Sequence, residues 1–231
     1  MTVPDRKERM RSESLTIAVG ASRTTGILYG ADAPRAALVL AHGAGAPQTH
    51  PWMVAIARAV AARGVDVVTF NFLYTEEKRR VPDKNDRMEE TWRAAIRAVR
   101  ARDDVMHARL FIGGKSMGAR IATQVAAKAD VEVAGLVLLG YPLHPPGKPE
   151  QMRAAHLPSV RAPMLFVQGS RDAFGSPVEL APIVRRLVTG TRLSVVEAGD
   201  HSFASAKRNG ESFETMMGRV ADEVVAFTES R

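Results

Sequence analysis

The sequence predicts a doubly wound α/β fold, a mostly parallel sheet with helices on both faces. Three observations point to it. Short apolar runs of leucine and β-branched residues recur along the 231-residue chain. Segments of 10–17 residues with helical period separate most of them, as parallel strands joined by crossover helices require. Several of the runs end in glycine, where a buried strand hands the chain to a loop. With 45% hydrophobic residues and no Pro/Gly/Ser-rich linker, residues 13–231 are expected to form a single domain around one sizeable core, after a loose tail over residues 1–12.

The elements follow in order. Leu15–Val19 and Gly26–Tyr29 read as two short edge strands, and Ala36–Ala41 as a buried strand running into the glycine-rich His42–Ala46. Pro51–Arg63 has helical period, with proline tolerated at its start and Gly64 as its stop. Val65–Phe70 is a strand, Asp86–Arg102 a helix and Arg109–Gly113 a strand. Ser116–Lys128 reads as a helix, followed by strands at Ala134–Leu139 and Pro163–Val167. Pro177–Val188, Leu193–Val196 and Glu211–Glu229 complete the pattern as helix, strand and closing helix.

Composition excludes several functions. With no cysteine, the chain has no disulfide scaffold, thiolate metal site or cysteine nucleophile. The net charge of +7 raises nucleic-acid binding, but the charge is scattered: residues 74–94 hold six basic and six acidic side chains. No basic block is interleaved with aromatic residues, which argues against nucleic acid as a partner. The N-terminal stretch Met1–Glu13 is charged and lacks the apolar core of a secretory signal. No apolar run approaches the ~18–20 residues of a membrane helix. A cytoplasmic protein without a membrane partner is expected.

Gly114-Lys115-Ser116-Met117-Gly118 matches G-x-S-x-G, and it lies between an apolar strand and an amphipathic helix. That context is a nucleophile elbow: the serine sits on a tight turn, and its neighbours must be small for strand and helix to approach. Serine needs a base oriented by a carboxylate. His201 follows the strand Leu193–Val196, and Asp172 follows the strand at Pro163–Val167, so both belong at the sheet edge where Ser116 lies. Asp200 competes for the carboxylate role, but a residue adjacent in sequence points away from its neighbour's ring. Among the other histidines, His42 braces its turn, His107 belongs at the opposite edge, His50 and His156 have no evident partner, and His144 lies on the functional edge. Backbone N–H groups of Met117, at a helix N-terminus, and of Ala44, in the glycine-rich turn, are expected to converge as an oxyanion hole.

With these elements in this order, the chain resembles the α/β-hydrolase superfamily over about residues 14–228. It is most similar to the small bacterial branch related to dienelactone hydrolases and to the hydrolase-like subunit of the eukaryotic NSL acetyltransferase complex. The finer resemblance rests on HGAGAP at 42–47, FNFLYTEEKRRVPD at 70–83, GGKSMGAR at 113–120, GYPLHPPGKP at 140–149 and GDHSF at 199–203. The resemblance implies an α/β-hydrolase fold, Ser116 as nucleophile, His201 as base and then acid, Asp172 as its orienting group, and no cofactor or metal. Dienelactone hydrolases proper use a cysteine, so its absence here argues against dienelactone cleavage and for ordinary acyl transfer through serine. The segment 140–162, where larger members insert a lid, is short and carries five prolines, so a minimal cap and an open site are expected.

The function expected is a serine hydrolase for a small carboxylic ester or thioester. The alternative is a non-catalytic protein-interaction module on a hydrolase scaffold, since a fold does not fix function. Tyr74, Arg80, Lys115, Tyr141, His144 and Phe203 are candidates to line the substrate pocket. Lys115, Arg79, Arg80 and Arg171 would bind an anionic group, or else stand as solvated cations paired with Glu76 or Glu77. The sequence does not specify an oligomeric state.

Overall fold

A computed structural model describes residues 11–105, 109–205 and 211–230. Its strands are β1 (Ser12–Val19), β2 (Ser22–Tyr29), β3 (Ala36–Ala41), β4 (Val65–Phe70), β5 (Arg109–Lys115), β6 (Gly135–Leu139), β7 (Met164–Gly169) and β8 (Arg192–Val196). They form one sheet in the order β1-β2-β4-β3-β5-β6-β7-β8. The six strands from β4 to β8 run parallel, and the β1–β2 hairpin closes one side antiparallel.

Among the described residues, six α-helices cover the faces: α1 (Pro51–Ala61), α2 (Leu73–Glu76), α3 (Asn85–Arg100), α4 (Met117–Ala127), α5 (Pro177–Val184) and α6 (Phe213–Glu229). Side chains alternate across a strand, so each central strand feeds two cores. Val39, Ala41, Ile112, Leu136 and Leu138 face the layer of α3 and α4. Leu38, Leu40, Phe111, Val137 and Leu139 face α1 and α6. Continuous burial along β3, β4, β6 and β7 is the mark of strands covered on both sides.

Local chemistry sets the helix ends. The His50 side chain accepts from Trp52 N–H at the start of α1, with Pro51 in the first turn, and Gly64 leaves the helix at φ +93°. A capping box joins Ser176 and Glu179 at α5, and Ser212 caps α6.

Three expectations change. β1 and β2 are eight residues each, and β2 is not an edge because Gly26–Tyr29 also pairs with β4. Ser12, expected in the tail, already pairs with Tyr29. The single-turn helix α2 lies where no element was expected, since four residues are too few to show a period. Between β6 and β7 the only helical structure is a 3₁₀ turn at Leu157–Ser159, in keeping with the minimal cap. This segment is packed down by the buried Tyr141, Leu143, Leu157 and Val160. Among the described residues, no helix is long and apolar enough to cross a membrane.

Candidate active site

Four parallel strands deliver the site at their C-terminal ends, the edge where open α/β sheets bind ligands. β5 ends at Lys115, and Ser116 follows at φ +52° and ψ −113°, a backbone state that L-residues adopt only under constraint. Its flanking glycines supply that constraint. A Cβ on Gly114 would lie 2.5 Å from the Ala41 carbonyl, and one on Gly118 would lie 2.4 Å from the same oxygen. Only hydrogens fit where α4 crosses β3. Ser116 N–H donates to the Leu139 carbonyl at 3.0 Å, which ties the turn to β6.

His201 lies on the loop after β8, and its Nε2 is 2.8 Å from Ser116 Oγ. Its Nδ1–H donates to Asp172 Oδ2 at 2.7 Å. The Asp172 side chain, in the loop after β7, is fully buried. It also accepts from Gln168 Nε2 at 2.8 Å and, through Oδ1, from the Phe174 N–H at 2.8 Å. These donors leave the carboxylate one orientation. They also fix the His201 tautomer, with the unprotonated Nε2 facing Ser116 Oγ. The Phe174 ring packs on the imidazole at a centroid distance of 4.2 Å. Asp200 is occupied differently: its Oδ1 accepts from the N–H groups of Ser202 and Ala204 and closes the turn that carries His201.

The remaining neighbours brace this chain. His42 is buried, donates from Nδ1 to the Gly43 carbonyl at 2.7 Å and accepts at Nε2 from the Phe72 N–H at 3.1 Å. Burial pushes its pKa down to about 4, so the imidazole is neutral and pins the loop after β3 to the start of α2. Burial likewise lowers Lys115 to about 8, against the pull of Asp172 and Asp200. Its Nζ donates to the His201 carbonyl and lies over the rings of Trp52 and Phe203, at 5.6 and 5.8 Å from their centroids.

A cavity of about 490 Å³ opens beside Ser116, in the size range of small-molecule sites. Ala44, Met117, Ser116 and His201 line it. The Met117 N–H is the first of α4 and has no acceptor inside its helix, and no acceptor for the Ala44 N–H is found among the described residues.

Of the six candidate pocket residues, Lys115 alone is among those lining this cavity, and the other five stand outside its lining. Tyr141 is fully buried, and its hydroxyl donates to the Arg153 carbonyl at 2.7 Å. Tyr74 and Phe203 are core residues. His144 is buried and meets Glu179 at 3.1 Å. Arg80 is exposed to solvent. The other cations named with it are spent elsewhere: Arg79 pairs with Glu77 at 2.7 Å and with Asp83, and Arg171 donates to the Ala198 carbonyl. Glu76 instead takes hydrogen bonds from Thr25, Thr24 and Asn71; against the opposing effect of burial they hold its carboxyl below the usual range. His50 caps α1 and borders the cavity, and His156 meets Thr123 Oγ1 at 2.8 Å. His107, expected at the opposite edge, lies outside the described residues. The sequence reading missed Arg120, Arg153, Trp52 and Phe174 in the lining.

Residues 34–229 match the sequence model of the alpha/beta hydrolase domain. The chain belongs to the alpha/beta hydrolase family. Solved structures agree on this fold. Dienelactone hydrolase from Anabaena variabilis superposes with a TM-score of 0.77 at 20% identity, over 96% of this chain and 98% of that one. Est1E from Butyrivibrio proteoclasticus gives 0.74 at 11% identity, over 94% and 99%. XC6422 from Xanthomonas campestris, described as an α/β serine hydrolase without lid, gives 0.72 at 18% identity, over 95% and 94%. At these identities the likeness speaks for the α/β-hydrolase fold alone.

Proposed function

We propose that this α/β-hydrolase is a serine hydrolase that cleaves a small carboxylic ester or thioester through an acyl-enzyme on Ser116. The observation that carries this reading is the unbroken hydrogen-bonded chain from Ser116 Oγ through His201 to buried Asp172, at 2.8 and 2.7 Å. His201 Nε2 takes the serine proton as Oγ adds to the substrate carbonyl. The Met117 and Ala44 N–H groups receive the developing oxyanion, each donor worth about 2.7–4 kcal/mol in such a hole. Collapse breaks the bond to the leaving group, which departs with the proton from His201. Water then attacks the acyl-enzyme, His201 takes its proton, and the acid is released as Oγ is reprotonated.

The segments at 42–47, 70–83, 113–120, 140–149 and 199–203 support a place in the small dienelactone-hydrolase-like branch, beside the hydrolase-like subunit of the NSL complex. Serine in place of cysteine supports simple esters or thioesters over dienelactones.

Labelling with a fluorophosphonate probe tests the proposal, with Ser116→Ala as the control. Wild-type protein should label and the variant should not. Equal failure of both would overturn the catalytic reading in favour of a non-catalytic interaction module. A panel of p-nitrophenyl esters and acyl thioesters of rising chain length then measures what the cavity accepts.

A further inference from the structure

We propose that the cavity beside Ser116 holds an anion subsite, built by Arg120 and Arg153, that selects esters or thioesters bearing a free carboxylate. The proposal rests on the serine-hydrolase reading and names its substrate class. Lys115, Arg120 and Arg153 line the cavity, and no aspartate or glutamate appears in its described lining. Lys115 is committed to the His201 carbonyl, which leaves the two guanidinium groups.

Their surroundings differ from those of the paired arginines of this protein. Arg63, Arg93, Arg102 and Arg219 each meet a carboxylate oxygen within 3.0 Å. Among the described residues, neither the Arg120 nor the Arg153 guanidinium has a carboxylate or carbonyl partner. Exposed arginines need none, because water solvates them. Arg120 and Arg153 are half-buried. For Arg120, burial and the like charge of Arg153 both act against its ionisation and lower its pKa, with the Tyr141 hydroxyl as the one opposing influence. Arginine nonetheless stays charged in proteins. Two partly desolvated like charges facing one cavity without a counter-charge are a standing electrostatic deficit. A carboxylate bridging them would remove it, with the paired N–H geometry that guanidinium offers.

Placement also fits. Arg120 N–H donates to the Ser116 carbonyl at 3.1 Å, so the residue stands one helical turn, about 5.4 Å, beyond the serine. Helical side chains lean toward the N-terminus, which brings its guanidinium back toward Ser116. Arg153 arrives from the β6–β7 loop, fixed by its N–H to the Leu143 carbonyl at 2.7 Å and by the Tyr141 hydroxyl on its own carbonyl at 2.7 Å. This spacing suits a carboxylate a few bonds from the scissile carbonyl, as in the half-ester of a short dicarboxylic acid.

The test compares p-nitrophenyl hydrogen glutarate with its neutral methyl-capped diester, and reads the ratio of their kcat/KM values. The free acid should be preferred by about tenfold or more, the scale of one hydrogen bond to a charged group. The ratio should fall toward one in Arg120→Gln and in Arg153→Gln, and in wild type as salt rises from about 50 to about 500 mM. Melting curves report folding, and the loop variant Arg153→Gln carries the test if Arg120→Gln does not fold. A wild type that labels with fluorophosphonate but shows no preference, or a preference that survives both substitutions, overturns the subsite and leaves the serine-hydrolase reading standing. If the wild type does not label, that reading falls first, and calorimetry of glutarate with the Ser116→Ala protein decides the subsite. Binding that weakens in the added Arg153→Gln supports it, and no binding overturns it.

Discussion

Asp172→Asn is expected to lower turnover of a neutral p-nitrophenyl ester by about four orders of magnitude, roughly 5.5 kcal/mol in the transition state. The size of the effect follows from three donors that converge on this side chain: His201 Nδ1–H and Gln168 Nε2–H on one oxygen, and the Phe174 N–H on the other. A carboxylate accepts from all three, whereas a carboxamide has one oxygen and one NH2. If the amide oxygen faces Phe174, the NH2 confronts the Gln168 amide and turns His201 to the tautomer with Nε2 protonated. That tautomer cannot take the Ser116 proton. If the amide oxygen faces His201, the NH2 confronts the Phe174 N–H in a fully buried position, and the loop must shift. Stopped assays at high enzyme concentration, beside melting curves that show the variant folded, measure the loss. Activity within tenfold of wild type in a folded variant would refute the assignment of Asp172.

Two further outcomes follow from the same geometry. Gly118→Ala places a Cβ 2.4 Å from the Ala41 carbonyl and 2.7 Å from that of His42. It should lose about 2 kcal/mol or more, read as a fall in Tm of several degrees. Gly30→Ala, with its nearest neighbour 3.6 Å from the new Cβ, should change stability by less than about 0.5 kcal/mol and serves as the control. His42 titrates near 4 in the fold against 6.5 when unfolded, so the unfolded chain binds the extra proton between those values. Its contribution is therefore whole above pH 6.5 and lost as pH falls toward 4, to about 3 kcal/mol. Denaturant titrations of wild type and His42→Asn should show their difference in stability shrinking over that interval, and a pH-independent difference would contradict the neutral, buried imidazole.

What sequence disclosed and what it withheld divide along physical lines. The elbow at Ser116 was readable because its sterics leave a local signature: glycines at 114 and 118 are there because nothing larger fits. Asp172 and His201 were readable because each directly follows a strand, and strand ends in a parallel sheet share one edge. Pocket polarity was not readable. Arg120 looks like any charged residue on an amphipathic helix until the β6–β7 loop folds back and brings Arg153 beside it. Tyr141 and His144 belong to segments on the right edge, but packing turned their side chains into the core and toward Glu179. Periodicity also understated β2, whose pairing with β4 is set by its neighbours and not by its own alternation.

Lys115 and Ser116 are adjacent links of the chain, yet one presents the hydroxyl while the other grips the loop that presents the imidazole. The positive φ at Ser116 turns two successive side chains toward the same region, where a regular strand would send them to opposite faces. Hydroxyl and imidazole are thus fastened to a single dipeptide at the tip of the central strand. For anyone grafting this elbow onto another hydrolase scaffold, the transferable unit is consequently larger than the serine and its glycines. The residue before the serine must travel with it, together with a partner loop whose carbonyl meets that ammonium group.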